Sequence, residues 1–237
     1  MQEFLSNINR LTIAGSDNVC LQCQFDIDEY QDELFNEFNI IFPESLAKAV
    51  PKRRAEFLAG RIIVREAMRI MLLPMIDIPI GMNRSPCWPE GIAGSITHSG
   101  NQVLCLLSKK NNGIGIDYEE IIPTENAADF QRSIVSEAEI RLFGEVSSDY
   151  NKILTLAFSA KESIFKALYF SVKKYFDFLD VAIISFQDEL SDDGSSLLGL
   201  TLEVNTDLNE DIRKGRTFNV LYQWQDAGVL TFISINL

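Results

Sequence analysis

The apolar runs of this chain come in neighbouring pairs with only turn residues between them, and that spacing limits the folds open to it. Residues 103–107 and 114–118 flank Lys109-Lys110-Asn111-Asn112-Gly113, a turn that predicts a hairpin with Asp117 and Glu119 at its far end. Further strands are predicted near 181–186, 197–204, 218–224 and 229–235, with turns at Ser191-Asp192-Asp193-Gly194-Ser195 and Gln225-Asp226-Ala227-Gly228, residues that tolerate tight or left-handed backbone. Strands joined this way lack the strand–helix alternation of a doubly wound sheet and point to mainly antiparallel sheets.

Helical periodicity supplies the other layer. A long helix is predicted after Pro51, with Phe57, Gly60, Val64, Ala67 and Met71 on one core-facing stripe. A strand near 18–26 and a polar helical stretch over 28–38 precede it. Pro74, Pro79, Pro86 and Pro89 then break the chain into a loop that leads through residues 92–98 into the strand at 103–107. A helix-rich region follows from about 133 to 174. The pattern predicts an α+β protein of two similar halves, 1–119 and 120–237, each a long helix packed on a mainly antiparallel sheet and the two related by a pseudo-two-fold. With 237 residues, 46% of them hydrophobic, either half can bury a core.

A formal charge of −13 argues against a nucleic-acid binder, because phosphate neutralisation needs a basic surface. An anionic ligand must instead meet a local basic cluster. The first ten residues lack the charged start and apolar run of a signal peptide, and no segment reaches the roughly eighteen apolar residues of a membrane span. A cytoplasmic protein is expected. Cys20 and Cys23, three apart on a predicted strand, face opposite ways and lack a second pair to complete a zinc site; Cys87 and Cys105 add no disulfide framework.

Four stretches carry candidate chemistry. Asp117 and Glu119, two apart on an extended segment, share one face, and Glu162 and Lys166 share one face of a helix. Three hard oxygen donors suit magnesium, which keeps several waters and shares its shell with substrate phosphates. Each pair also has an ordinary reading. Asp-x-Glu can end a solvated strand, Glu162 and Lys166 have the spacing of a helix surface pair, and Ser159 with Glu162 has that of a capping box. Against these, Leu154, Leu156, Ala157, Phe158, Ile164, Phe165 and Leu168 surround Glu162 with apolar residues. The third stretch, residues 52–65, is the most basic of the chain. Arg54, Arg61 and Arg65 fall on one helix face opposite the Phe57 and Val64 stripe, either solvated or set to meet a phosphate beside the helix start. The fourth holds His98, the sole histidine, in a small hydroxyl-rich segment with no triad partner in evidence.

Together these stretches resemble the 4′-phosphopantetheinyl transferase superfamily, in particular its two-domain type that serves siderophore and other nonribosomal peptide synthetases. The resemblance rests on Arg53-Arg54-x-Glu56-Phe57-Leu58-Ala59-Gly60-Arg61, Trp88-Pro89-x-Gly91-x-x-Gly94-Ser95-Ile96-Thr97-His98-Ser99, Gly115-Ile116-Asp117-x-Glu119 and Phe158-Ser159-Ala160-Lys161-Glu162-x-x-x-Lys166, in that order. It implies coenzyme A in a cleft between the halves and magnesium on Asp117, Glu119 and Glu162. It also implies Lys166 on the pyrophosphate, with Glu162 or a water as base. Arg53, Arg54 and Arg61 are then phosphate candidates without distinction among them, Arg84, Ser85 and Pro86 border the adenine, and Thr97 and His98 are coenzyme A contacts, His98 at the 3′-phosphate. Thr97 stands where the family usually has Ser, and Phe158 where it usually has Trp. Neither change removes a charge.

The implied reaction carries the 4′-phosphopantetheine arm of coenzyme A to a serine of an apo acyl, peptidyl or aryl carrier protein, releasing 3′,5′-ADP. Residues 121–143 are the expected carrier contact, and a monomer is expected. The rivals are a magnesium-dependent coenzyme A or nucleotide hydrolase and a catalytically silent coenzyme-A-binding scaffold; the first needs no carrier protein and the second turns nothing over.

Overall fold

The structure, a computed structural model, describes residues 4–13, 18–109, 113–190 and 196–236. They form two compact units, Met1–Asn112 and Gly113–Leu237.

In the first unit, β1 (Leu5–Leu11), β2 (Val19–Phe25), β3 (Ala93–Ser99) and β4 (Gln102–Ser108) make an antiparallel sheet in the order β1-β2-β4-β3. Across it lies α2 (Pro51–Ile70), packed on β4 and β2. Pro51 at its first position gives up no bonded N–H, and Val50 before it is extended. Ala55, Phe57, Leu58, Ala59, Ile63, Val64, Ala67 and Met68 are the buried apolar stripe of this helix. β3 and β4 form a hairpin in which Ser99 pairs with Gln102, and Gly100, at φ 60°, supplies the left-handed residue of the turn.

One expectation is corrected here, one strand that the sequence did not signal is added, and one open alternative is decided. Only α1 (Leu34–Glu37) of the polar stretch 28–38 is α-helical. β1 gave no strand signal because it is a polar edge strand, exposed from Ser6 to Arg10, with a pairing irregularity between Ser6 and Asn9. The basic residues of α2 do not make a solvated face opposite the core. The guanidinium of Arg61 is buried over the Phe57 ring, 4.3 Å from its centroid.

The second unit is built on β5 (Gly113–Glu120), β6 (Val181–Leu190), β7 (Ser196–Val204), β8 (Thr217–Trp224) and β9 (Gly228–Ile235), antiparallel in the order β5-β9-β8-β7-β6. β8 and β9 form the expected hairpin, closed by hydrogen bonds between Gln225 and Gly228. β6 and β7 also pair as expected, although their turn, 191–195, lies outside the described residues. β5 does not pair with β4. The turn between them (110–112) lies outside the described residues, and β5 joins the other sheet against β9, with Asp117 opposite Thr231. Both strands are apolar enough to be buried in any sheet, so adjacency in sequence did not fix their pairing.

The helices of this unit are α3 (Thr124–Ile134), α4 (Glu137–Val146) and α5 (Tyr150–Val172). α5 lies on β5 and β9, and the approach is very close. A Cβ on Gly115 would stand 1.9 Å from the Ser163 carbonyl oxygen, and one on Gly113 would stand 2.5 Å from that of Ala167. Ser159 and Ser163 bond Thr231 of β9 at 2.9 and 2.6 Å through their hydroxyls. Ser159 therefore sits mid-helix and is not a cap. The capping box of this region is Ser136 with Glu139 at the start of α4.

Candidate functional site

The sequence-predicted residues fall into two groups, one in each unit. In the first, a cavity of about 500 Å³ is lined among others by Arg53, Glu56, Arg61, Arg84, Pro86 and His98. Arg53 and Glu56 share the first turns of α2. Arg53 Nη1 lies 2.7 Å from His98 Nε2 and 3.3 Å from Glu56 Oε2. A guanidinium only donates, so Nε2 accepts and the imidazole proton sits on Nδ1, 3.6 Å from Glu56 Oε2. The arrangement presents one fixed cation, the Arg53 guanidinium, with the imidazole of His98 and the carboxylate of Glu56 both against it. Ile96 and His98, two apart on β3, line the cavity. Thr97 between them, expected as a coenzyme A contact, is instead buried on the other face of the strand and does not line the cavity, because successive strand residues point to opposite sides.

The loop 80–86 adds Ile80, Gly81, Arg84 and Pro86 to the lining, whereas Ser85 is not part of it. The loop is closed by Gly81 N–H donating to Ser85 O at 2.7 Å and by the Ser85 hydroxyl donating to Met82 O at 2.8 Å. Asn83 and Arg84 both adopt left-handed backbone, at φ 52° and 63°. Two successive non-glycine residues in that region are a strained way to bring a side chain to a wall.

The other arginines of α2 serve the fold. Arg54 donates to Leu46 O and Ala47 O at 3.1 and 2.7 Å, pairs with Asp32 at 2.6 Å and does not line the cavity. Arg61 lines it but donates Nε to Ile78 O at 2.9 Å, and burial pushes its pKa down to about 10. Arg65 bonds Phe38 O and Asn39 O, both at 2.7 Å. Of the three predicted phosphate arginines, Arg53 is the one that meets His98. Glu56, which no role was predicted for, proves to be its partner.

In the second unit β5 carries Asp117, while α5 carries Glu162 and Lys166 one turn apart. Asp117 is buried; Oδ1 accepts from Lys166 Nζ at 2.7 Å, and the same ammonium donates to Ile116 O at 3.1 Å. Lys166 thus spans from helix to strand rather than lying along the helix surface. The half-buried Glu162 carboxyl is pushed up from its ordinary 4.5, first by burial and also by the Asp117 charge, while Lys166 opposes the shift. Glu119 is half-buried on the Asp117 face of β5, and Tyr118 between them is fully buried on the other side. Phe158 packs on Phe130 and Phe178, with ring centroids 5.7 and 5.5 Å apart.

Among the described residues no three Asp, Glu, His or Cys side chains are gathered into a self-sufficient metal cage. The Asp117 charge reaches Glu162 across the strand–helix contact, and two carboxylates have the donor chemistry of magnesium, which takes one or two carboxylates, waters and ligand phosphates. Among the described residues no helix is long and apolar enough to cross a membrane.

Comparison with known proteins agrees with this division. A family model for the 4′-phosphopantetheinyl transferase N-terminal domain matches residues 42–108, and one for the 4′-phosphopantetheinyl transferase superfamily matches residues 113–205. The chain is 38% identical over 144 residues to enterobactin synthase component D of Escherichia coli K12, covering 61% of this chain and 68% of that protein. It is 35% identical to the Salmonella typhi protein of the same name, covering 60% of each chain. It is 34% identical over 140 residues to a 4′-phosphopantetheinyl transferase of Streptomyces mobaraensis, covering 55% of each.

Proposed function

Because the chain belongs to the 4′-phosphopantetheinyl transferase superfamily, we propose that it moves the 4′-phosphopantetheine arm of coenzyme A onto a serine of an apo carrier protein and releases 3′,5′-ADP. The observation that carries this reading is the contact of Lys166 with Asp117 at 2.7 Å beside a Glu162 whose proton affinity is raised. Such a group of a cation, a carboxylate and a poised base answers the needs of attack on a pyrophosphate.

In this reading the serine oxygen attacks the β-phosphorus, the bond to the departing ADP oxygen breaks, and the serine proton passes to Glu162 directly or through a water. Lys166 supplies positive charge to the pyrophosphate and the leaving group. Asp117 holds Lys166 in place and, with Glu162 and with Glu119 as a third donor, offers oxygens to magnesium. Bound there, magnesium would neutralise pyrophosphate oxygens. Arg53 and His98 take the 3′-phosphate in the first unit, and the loop of Arg84, Ser85 and Pro86 borders the adenine. The likeness to enterobactin synthase component D favours a carrier domain of a siderophore or related nonribosomal peptide synthetase, with residues 121–143 as its contact.

The test is the intact mass of apo carrier domains after incubation with this protein, coenzyme A and magnesium, with chelator and Asp117→Ala as controls. A metal-dependent gain of one phosphopantetheine arm is expected. Coenzyme A that stays bound and intact beside every carrier type would favour a silent scaffold, and cleavage without any carrier would favour a hydrolase.

A further inference from the structure

Lys161 stands one residue before Glu162, and the transfer chemistry makes no use of it. Its side chain is fully buried, as is that of Glu139, and Nζ lies 2.8 Å from Glu139 Oε1. The ammonium also donates to Ile134 O at 2.7 Å and Phe178 O at 3.1 Å. Glu139 accepts the Ile183 N–H at 2.9 Å on Oε1, and the Ser136 N–H and hydroxyl at 2.8 and 2.9 Å on Oε2. One buried cation therefore ties α5 to the end of α3, the start of α4, the turn at Phe178–Asp180 and the start of β6.

A buried ion pair adds little net stability, because desolvation offsets most of the attraction; a defined geometry is the better account of its presence here. The helix shows which geometry. Successive residues turn by about 100°, so Lys161 projects roughly 160° from both Ser159 and Ser163. Those serines press on β9, and the Ser163 backbone meets Gly115. α5 is thus held on opposite faces, by the sheet on one and by Glu139 on the other, and Glu162 leaves from the flank between.

We propose that Lys161, through its buried pair with Glu139, is a positioning residue that fixes the rotation of α5 about its axis and so aims Glu162 toward Asp117. This rests on the base role proposed for Glu162. Lys161→Met with Glu139→Gln removes both charges at nearly constant volume, whereas Lys161→Met alone strands a buried carboxylate. For the full chain, Tm, kcat and the KM for coenzyme A are measured on an apo carrier. The double variant is expected to melt within about 5 °C of wild type, to keep KM within about twofold, and to lose at least about tenfold in kcat. Wild-type kcat in the double variant overturns the proposal, as does a kcat that merely follows Tm across the double variant, Lys161→Met and Glu139→Gln. If the double variant does not fold, Glu139→Gln alone is read in the same way, with a kcat-specific loss expected and wild-type kcat fatal. A wild-type chain that transfers nothing overturns the proposed function instead. A crystal structure of whichever of these variants folds then decides: displacement of Glu162 from Asp117 by about 1 Å or more supports the positioning role, and an unmoved pair overturns it.

Discussion

Gly115→Ala tests how the second unit holds its site. The new methyl would stand 1.9 Å from the Ser163 carbonyl oxygen and 2.8 Å from its carbonyl carbon, backbone atoms that no rotamer change can move aside. A carbon–oxygen contact needs about 3.3 Å, so β5 and α5 must part by roughly 1.4 Å at this point. Asp117 lies two residues along that strand, and Glu162 and Lys166 flank Ser163 on that helix. The 2.7 Å contact from Lys166 to Asp117 does not survive such a parting. Misplacement of about 1 Å in a reacting group costs on the order of 100-fold in rate, and overpacking costs about 1–3 kcal/mol in stability. We therefore expect transfer, followed by intact mass of a carrier, to fall about 100-fold, with Tm lower by a few degrees. Gly113→Ala, 2.5 Å from the Ala167 carbonyl oxygen, should fall between this variant and wild type. Gly199→Ala meets nothing closer than the Leu221 side chain at 3.5 Å and should be silent. Wild-type transfer by Gly115→Ala, or equal damage from Gly199→Ala, would refute the account of helix-on-strand approach.

Arg53→Ala and His98→Ala should each raise the KM for coenzyme A about 10- to 100-fold, the worth of one hydrogen bond to a charged group, and leave kcat nearly unchanged; an effect on kcat alone would remove the phosphate role. Glu162→Gln should abolish transfer yet melt at or above wild type at pH 8. Its carboxyl, raised above 4.5 mainly by burial, binds a proton more tightly when folded, so ionised Glu162 lowers stability increasingly as pH rises through that window and fully above it. The Tm difference should close near pH 4, and a clear loss of Tm at pH 8 would contradict burial as the main cause. Burial pushes the Cys20 and Cys23 thiols up to about 12 and raises Cys105 as well, while Cys87 is exposed. One equivalent of a thiol reagent should therefore react quickly with the native chain and three more after unfolding. Coenzyme A should slow the first, because Cys87 adjoins Pro86 and Gly81 at the cavity wall. Labelling unaffected by coenzyme A would place the ligand elsewhere.

Periodicity and punctuation alone determined where α2 runs, since Pro51 starts it and its apolar stripe recurs at helical spacing, and they determined the four strands after residue 180. Alternation on a strand and the i, i+4 step on a helix, both local properties, brought forward the pairs Asp117 with Glu119 and Glu162 with Lys166, and the family resemblance joined the pairs into one site. Tertiary structure decided what depends on distant partners. An apolar run such as residues 114–118 demands burial but does not say against what, and its partner, β9, lies more than a hundred residues away. The arginines of α2 could equally have met solvent, phosphate or carbonyls; loops returning at Leu46, Phe38 and Ile78 settled Arg54, Arg65 and Arg61. Lys161 is a charge in an apolar neighbourhood, and only the arrival of Glu139 and two carbonyls from other elements makes its burial tolerable. Local pattern sets the period and the face of each element, whereas the pairing of faces is a non-local property of the folded chain.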